Sequence, residues 1–417
     1  MPVGSGHRIV VIGGGVVGLC CAIELQRDGF AVTIVERDPP GESAAAASCG
    51  YIAVSEVIPL SKPGILLKAP GWLIDPTGPL SLRPASLVGI LPWFLRFVGN
   101  ARPRRIRDIS AALARLTTTA LGDYEALLKL LGLTGLIGET PVLELYDSPA
   151  ELAHEQPYLR ARRDLGFRID EISGAEAAEM EPALAKDFAG AAVYRDWRSI
   201  VDGRRFVTAL SDGFVAKGGT WVRVAAVGFL RDDHRITAVR LSDGRELPAD
   251  QAVIAAGAWS KRLASEVGMK IMVEGVIGYQ TTIADPGVDM AHAVIYAKGG
   301  FGITPYESGL AISGSIEFAT LAAEPDWRRA DTLVEKAKRV LPGLKTADGT
   351  RRIGRRPFTP DTLPIIDRSP TVPNVLIATG HGQLGVTLGA TTGKLISHLA
   401  AGRATDIDLS PYSATRF

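Results

Sequence analysis

The chain has 417 residues, of which 46% are hydrophobic and 22% are charged. A chain of this length can bury a substantial core, which predicts a globular protein of about two domains. Its 46 basic and 45 acidic side chains give a formal net charge of +1, so it lacks the overall basic field that nucleic-acid binding uses.

The N-terminal segment predicts a grip for a dinucleotide. An apolar strand over 9–12 is followed by three spaced glycines, a helix, and a second strand that ends on Glu36. Gly13 permits a tight turn, Gly15 lets backbone N–H groups approach a pyrophosphate, and Gly18 lets the helix pack against the strand. The carboxylate of Glu36 can accept hydrogen bonds from both hydroxyls of an adenosine ribose, and it would repel a 2′-phosphate.

The predicted strand begins at residue 9, which leaves no space for a signal peptide, so we expect a cytoplasmic protein. The three cysteines include an adjacent pair, Cys20 and Cys21, on the predicted first helix. They form neither a disulfide framework nor a set of metal ligands, and we predict no metal site.

Residues 59–83 are rich in Pro and Gly and predict a long loop near a site. The most apolar stretch follows, over 87–98, and it precedes a basic run that begins at Arg102. This pattern fits either a helix in a membrane interface or a core helix broken at Pro92 with a solvated basic tail. No apolar run reaches the length of a membrane-spanning helix.

The middle of the chain alternates between helical and strand patterns. Leucines at helical spacing over 106–131 predict one long helix or a broken pair, and 139–146 predict a strand. Ser173, with Glu176 three residues later, predicts a capped helix start.

Elements of a nucleotide-binding domain return far along the chain. A helix over 206–217 and a strand over 219–227 precede a hairpin built from 236–241 and 246–247. An apolar strand then ends in small residues over 252–260, and a strand, a glycine turn and a helix follow from 375. A nicotinamide dehydrogenase keeps its βαβ units contiguous, so this interrupted order indicates a different class of nucleotide-binding protein.

These motifs together resemble the FAD-dependent D-amino acid oxidase superfamily, and most closely the bacterial D-amino acid dehydrogenases. The resemblance spans essentially the whole chain. It rests on the glycine turn over 11–18, Ser-Cys-Gly-Tyr-Ile over 48–52, Ala-Ala-Gly-Ala-Trp over 255–259, Gly-Tyr at 278–279, Arg-Arg-Pro-Phe-Thr-Pro-Asp over 355–361 with Leu-Pro-Ile-Ile over 363–366, and Thr-Gly-His-Gly-Gln-Leu-Gly over 379–385.

The resemblance implies an α/β fold with a discontinuous, Rossmann-like FAD-binding domain and a substrate domain that carries a mainly antiparallel sheet. The expected FAD-binding domain comprises 1–58, 200–272 and 345–417. The expected substrate domain comprises 59–199 and 273–344.

The resemblance also assigns residues to FAD. Gly13, Gly15, Gly18 and Glu36 would hold the ADP part, the backbone of Val227 would contact the adenine, and residues 380–386 would bind the pyrimidine end of the flavin. The full expected set is Gly13, Gly15, Val16, Val17, Gly18, Glu36, Arg37, Ser48, Cys49, Gly50, Val227, Ala256, Gly257, Gly380, His381, Gly382, Gln383, Leu384, Gly385 and Val386.

The chain departs from the family at 48–50, where the dehydrogenases usually have Asn-Ala-Gly and this chain has Ser-Cys-Gly. The departure bears on the substrate and leaves flavin binding intact. Cys49 could form a covalent flavin link, although a small residue that fills a gap is the more ordinary role of such a side chain.

Oxidation of an amino acid at Cα needs a hydride acceptor, a fixed carboxylate and an unprotonated amine, and a flavin supplies the first. Arg356 is the best carboxylate clamp because a guanidinium offers a planar, permanently charged fork. Tyr279 could donate to the same carboxylate, His381 could contact the flavin or the substrate, and Tyr51 could line the pocket. The alternatives are a solvated basic edge for the arginines around Arg356, a core position for Tyr279, and a local backbone contact for His381.

We therefore expect a flavoprotein that oxidises a D-amino acid, or a cyclic imino acid such as hydroxyproline, and passes electrons to a quinone or another carrier. Peripheral contact with the inner face of the cell membrane would fit a quinone acceptor. One alternative is a glycine-, sarcosine- or proline-type amine oxidase that uses oxygen. Another is a non-catalytic flavin subunit of an electron-transfer complex.

Overall fold

The computed structural model describes residues 6–62, 78, 80–83 and 86–417. Most of the loop predicted over 59–83 lies outside these residues. In the described part of the chain, every helix is too short or too polar to cross a bilayer.

Twenty strands are described. They are β1 (Arg8–Ile12), β2 (Ala31–Glu36), β3 (Tyr51–Ile52), β4 (Leu80–Leu82), β5 (Val142–Tyr146), β6 (Ile169–Ser173), β7 (Gly190–Tyr194), β8 (Arg198–Ser199), β9 (Thr220–Arg223), β10 (Ala226–Asp232), β11 (Arg235–Leu241), β12 (Glu246–Pro248), β13 (Gln251–Ile254), β14 (Glu274–Ile283), β15 (Ala293–Tyr296), β16 (Phe301–Tyr306), β17 (Gly309–Phe318), β18 (Thr350–Phe358), β19 (Ile365–Arg368) and β20 (Val375–Thr379).

The α-helices among the described residues lie mainly beside or between these strands. They are α1 (Val16–Arg27), α2 (Leu87–Gly99), α3 (Pro103–Thr117), α4 (Ala120–Leu131), α5 (Pro149–Asp164), α6 (Gly174–Met180), α7 (Gly203–Ala216), α8 (Ser260–Glu266), α9 (Arg328–Val340) and α10 (Gly385–Ala400).

A six-stranded sheet carries the predicted nucleotide grip. Its order is β19-β20-β13-β1-β2-β9, and all neighbours run parallel except the β19–β20 pair. The strands are apolar because helices cover the sheet. Helices α1 and α10 approach closely through small residues: a Cβ on Gly393 would come within 2.5 Å of the Cys20 carbonyl oxygen. Both Cys20 and Cys21 are buried packing residues.

A nine-stranded sheet forms the second layer beside the first. Its order is β18-β14-β17-β16-β15-β5-β7-β6, with β4 added alongside β17. Most of its pairs are antiparallel, and the β15–β5 and β17–β4 pairs are parallel. Smaller sheets join β10, β11 and β12, and β3 with β8. The mixed α/β fold class expected from the sequence is confirmed.

Several element boundaries differ from the sequence-based expectation. The helix over 106–131 is a broken pair, α3 and α4. The strand expected over 219–227 divides into β9 and β10, which belong to different sheets. Helix α2 is not broken at Pro92. A proline there removes a single backbone hydrogen-bond donor, and the packed helix tolerates that loss. The capping box of Ser173 and Glu176 is present as predicted.

The pairing of strand β18 bears on the predicted domain boundary at residue 345. The predicted FAD-binding segment 345–417 includes this strand. The structure pairs it along its whole length with β14, at the edge of the nine-stranded sheet. This edge faces the six-stranded sheet, so β18 brings its arginines to the junction of the two layers.

Candidate active site

A groove of about 1160 Å³ runs between the carboxyl ends of the six-stranded sheet and the β14–β18 edge of the nine-stranded sheet. This is where ligands bind in open α/β sheets. Of the residues predicted to bind FAD or substrate, those that line the groove are Gly13, Gly15, Val16, Val17, Glu36, Arg37, Ser48, Val227, Ala256, Gly257, His381, Gly382, Gln383, Gly385, Val386 and Arg356.

The glycine turn shows why three spaced glycines are required. Gly13 has φ +116°, and a Cβ there would come within 2.3 Å of the Ala255 carbonyl oxygen. A Cβ on Gly18 would lie 2.0 Å from the carbonyl oxygen of Gly13. On Gly15, by contrast, the nearest atom to a Cβ would be 3.9 Å away, on Ser43. Gly15 therefore faces open groove at the N-terminus of α1, where an anionic pyrophosphate fits.

Glu36 is fixed at the end of β2 by two backbone donors. Its carboxylate accepts hydrogen bonds from the N–H of Gly14, at 2.8 Å, and from the N–H of Asp38, at 3.1 Å. The side chain remains partly exposed at the groove wall. A carboxylate held in this way can receive further hydrogen bonds from ribose hydroxyls, so the residues present fit an adenosine dinucleotide.

The expected adenine end lies between β2 and the turn that follows β13. Val227 stands at an irregular step in the pairing of β10 with β11, and its carbonyl accepts a hydrogen bond from Arg262. The guanidinium of Arg37 lies 4.3 Å above the ring of Trp259. Trp259 was absent from the predicted site, although the Ala-Trp pair that ends the turn was visible in the sequence.

The alanine run over 44–47 is a second part of the groove that sequence reasoning did not assign. It forms a short 3-10 helix pressed between two elements. A Cβ on Gly203 would come within 2.3 Å of the Ala45 carbonyl oxygen, and one on Gly354 within 2.7 Å of that of Ala44. The backbone of the alanine run therefore requires glycine at both 203 and 354.

Residues 48–50 lie directly beyond this turn. The carbonyl of Ser48 accepts hydrogen bonds from Gln280, Tyr306 and Ser313 of the nine-stranded sheet. Gly50 has φ +67°. Cys49 lies behind the groove wall, where burial raises the pKa of its thiol and its Sγ contacts the Ser313 carbonyl at 3.5 Å. It therefore occupies a packing position in this structure.

The C-terminal turn brings His381 to the groove. Strand β20 leads into left-handed glycines at 380 and 382, and α10 begins at Gly385. The ring Nε2 of His381 shares a hydrogen bond of 2.9 Å with the Thr392 hydroxyl, and burial lowers the pKa of the imidazole to about 3. His381 is thus neutral near pH 7, while Gly380 and Leu384 shape the turn from behind the groove wall.

A stability measurement tests this assignment. The unfolded chain takes up a proton on His381 below pH about 6.5 while the folded chain does not, so stability is lost as pH falls from there towards about 3. At pH about 5 we expect this residue to cost about 2 kcal/mol. The melting temperature of His381→Gln should therefore fall less steeply with acidification than that of the wild type. Parallel curves would show that His381 titrates normally in the folded protein.

Arg356 and Arg355 extend to opposite faces of β18, as alternation along a strand requires. The guanidinium of Arg356 donates to the Ser315 carbonyl at 3.1 Å, and burial lowers its pKa. Among the residues that the structure describes, no carboxylate forms an ion pair with Arg356, and the thiol of Cys49 lies near its guanidinium. The guanidinium of Arg355 instead donates to the Ala323 carbonyl at 2.7 Å.

The two predicted tyrosines do not fit the roles expected for them. The hydroxyl of Tyr279 donates to Glu317 and accepts from the backbone N–H of Asp326, so its hydrogen-bonding capacity is committed behind the groove. The hydroxyl of Tyr51 donates to the Val294 carbonyl at 3.1 Å. Tyr279 thus links β14 to β17, and Tyr51 links β3 to β15. For Tyr279 this is the core position given above as the alternative.

Sequence comparison places the chain among flavoproteins. A family profile described as DAO, FAD dependent oxidoreductase, matches residues 8–399. A D-amino-acid oxidase of Bradyrhizobium diazoefficiens is 31% identical over 420 residues, which cover 99% of each chain. D-amino acid dehydrogenase 2 of Ralstonia nicotianae is 28% identical, over 98% of this chain and all of the relative.

Structural comparison gives the same fold. Glycine oxidase from Geobacillus kaustophilus superposes with a TM-score of 0.75 at 22% identity, over 99% of both chains. Iminodiacetate oxidase from Chelativorans superposes with a TM-score of 0.74 at 22% identity, over 97% of this chain and 98% of the other. At these identities the likeness concerns the fold.

Proposed function

The chain belongs to the DAO family of FAD-dependent oxidoreductases, and from that premise we propose that it oxidises a D-amino acid, or a cyclic imino acid such as hydroxyproline, at Cα. FAD is its cofactor. The electrons pass on to a quinone or another carrier. The names of the two relatives described above support a D-amino acid over other amines.

The observation that carries this proposal is the state of Arg356. A partly buried guanidinium pays a desolvation cost that an anionic partner can offset. In the described part of the chain, no carboxylate forms an ion pair with Arg356. Its side chain lines the groove beside the C-terminal turn. A substrate carboxylate would supply that partner and would orient Cα for reaction.

FAD, when bound, supplies the acceptor for the hydride that leaves Cα. The protein's own contribution is to bind and orient. Arg356 holds the carboxylate, Gly15 and Glu36 hold the dinucleotide end, and neutral His381 adds no charge to the wall. The substrate amine gives its proton to water before the hydride leaves. Water then adds to the imino acid and releases ammonia to give the keto acid, or opens the ring of a cyclic imino acid.

Flavin reduction in the absence of oxygen tests the function. We expect selected D-amino acids to bleach the yellow holoenzyme rapidly, and their L-enantiomers to leave it oxidised. Hydroxyproline isomers, proline, sarcosine and glycine belong in the same panel. Preferential bleaching by sarcosine or glycine, with rapid reoxidation in air, would favour the amine oxidase alternative. A flavin that no amine reduces would favour a non-catalytic subunit.

An exposed apolar face supports a membrane-bound acceptor such as a quinone. Leu91, Phe94 and Leu95 of α2 are exposed, with Leu95 64% accessible. The four arginines of the neighbouring segment, Arg102, Arg104, Arg105 and Arg107, are also exposed. Apolar side chains beside arginines suit the surface of a bilayer that contains anionic lipid.

Vesicle binding tests this surface. We expect the holoenzyme to sediment with phosphatidylcholine vesicles that contain phosphatidylglycerol, and less so at high salt, because each arginine contributes about 1 kcal/mol near an anionic surface. Replacement of Leu91, Phe94 and Leu95 by serine should abolish the binding. Leu130→Ser, which alters another exposed leucine on α4, is the matched control. Equal sedimentation of the triple variant and the wild type would remove α2 from the interface.

A further inference from the structure

Ser315 has an unusual backbone conformation within the nine-stranded sheet. It has φ +65°, in the left-handed region that residues other than glycine rarely adopt, and it is buried within β17. Such a conformation is unfavourable and persists only where its surroundings hold it. The pairing of β17 with β14 shifts register here: Ile277 lies opposite Glu317, whereas Tyr279 lies opposite Gly314.

Two arginines converge on this one serine. The carbonyl oxygen of Ser315 accepts the hydrogen bond from Nη1 of Arg356, at 3.1 Å. Its hydroxyl accepts a hydrogen bond from Nε of Arg329, at 2.9 Å. Arg329 lies on α9, is 7% exposed, and also donates from Nη2 to the Gly78 carbonyl at 2.9 Å.

Gly278 limits the Arg356 guanidinium on another side. A Cβ on this glycine would come within 2.1 Å of Nη2 of Arg356, so the guanidinium lies directly against the backbone of β14. A planar fork binds a carboxylate through two hydrogen bonds only when its plane is correctly oriented. Gly278 and the carbonyl of Ser315 together restrict the orientation of the Arg356 guanidinium plane.

We propose that Ser315 and Arg329 are positioning residues for Arg356. Arg329 holds the Ser315 hydroxyl, which keeps the residue in its left-handed conformation, and that conformation directs the Ser315 carbonyl at Arg356. Neither residue needs to touch the substrate. The inference rests on the proposed function, in which Arg356 binds the substrate carboxylate.

Binding of a simple carboxylate by the oxidised holoenzyme tests the proposal. The probe is benzoate, with benzamide as its uncharged counterpart, and the readout is the change in flavin absorbance. Arg329→Met and Ser315→Ala should each raise the Kd of benzoate about tenfold and leave that of benzamide unchanged. Ser315→Ala removes the hydroxyl and keeps a Cβ that disfavours the positive φ, so the residue loses the contact that holds its left-handed conformation.

Arg328→Met is the control for Arg329→Met. Arg328 is the neighbour of Arg329 on α9, is strongly exposed and pairs with Asp326, and its loss should leave benzoate binding at the wild-type level. The rise in the KM of the amino acid substrate should exceed any fall in kcat in both test variants. If Arg329→Met does not fold, Ser315→Ala alone decides.

Wild-type benzoate affinity in a folded, FAD-loaded Ser315→Ala or Arg329→Met protein would overturn the positioning role. Arg356→Ala separates this failure from that of the proposed function. If Arg356→Ala weakens benzoate while the other variants do not, only the positioning role is lost. If Arg356→Ala leaves benzoate binding unchanged, both proposals fall.

Discussion

Replacing Arg356 with alanine should leave FAD bound and lower kcat/KM for amino acids by about 30-fold to several thousand-fold. Truncation of one partner of a desolvated charge pair costs of the order of 2–5 kcal/mol, and Arg356 is such a partner in the proposed complex. The kcat/KM of Arg356→Lys should lie between those of the wild type and Arg356→Ala, because an ammonium keeps the charge and loses the planar fork. Steady-state kinetics with a dye acceptor measures the effect.

Arg351→Ala is the matched control on the same strand. Arg351 also borders the groove, but it is exposed and its charge is paired with Asp331 at 3.3 Å, so its loss should change kcat/KM only slightly. Simple amines that lack a carboxylate should be nearly indifferent to the Arg356 change. Amino-acid oxidation that survives Arg356→Ala within a few-fold, but collapses in Arg355→Ala, would place the carboxylate clamp one residue away.

Gly15→Val should yield a folded protein that has lost FAD. The residue precedes α1 with φ −73° and ψ 176°, a conformation that valine adopts readily. Its side chain would enter the open groove and displace the pyrophosphate from the backbone donors. Loss of two charge-assisted hydrogen bonds from backbone N–H groups to the pyrophosphate, each worth about 1.5–3 kcal/mol, would weaken FAD binding by roughly a hundredfold or more.

Gly18→Val is the informative comparison, because its Cβ would meet the Gly13 carbonyl oxygen at 2.0 Å whether or not FAD is present. We expect this variant to lose structure as well as cofactor. Circular dichroism separates the two outcomes, and the FAD released on denaturation measures occupancy. A yellow Gly15→Val protein with stoichiometric FAD would show that the pyrophosphate does not lie against Gly15.

Local patterns were enough to predict which segments line the groove at its nucleotide-binding end. The glycine turn, the strand that ends on Glu36, and the turn around His381 are short segments whose function depends on their own backbone geometry. The positive φ of Gly13 and the close approach of Gly18 to Gly13 follow from residues within one turn and the start of one helix. For this reason they could be recognised without the rest of the chain.

Contacts between distant segments were harder to anticipate. Tyr279 follows Gly278 in a motif that suggests a substrate contact, but Glu317 and Asp326 engage its hydroxyl from elsewhere in the chain. The alanine run over 44–47 carried no chemical signal of its own. Only the tertiary structure shows that Gly203 and Gly354 pack against its backbone.

The sequence by itself determined the family, the cofactor, the glycine turn and the choice of Arg356 as the candidate clamp, because these rest on residue type and short spacing. The tertiary structure decided that Arg355 and Arg356, on opposite faces of β18, both border the groove, that β18 belongs to the nine-stranded sheet, and that Arg356 and Arg329 both donate to Ser315. The physical reason is that strand pairing and the burial of a guanidinium depend on residues far apart in the chain, whereas a turn or a helix start depends on its neighbours.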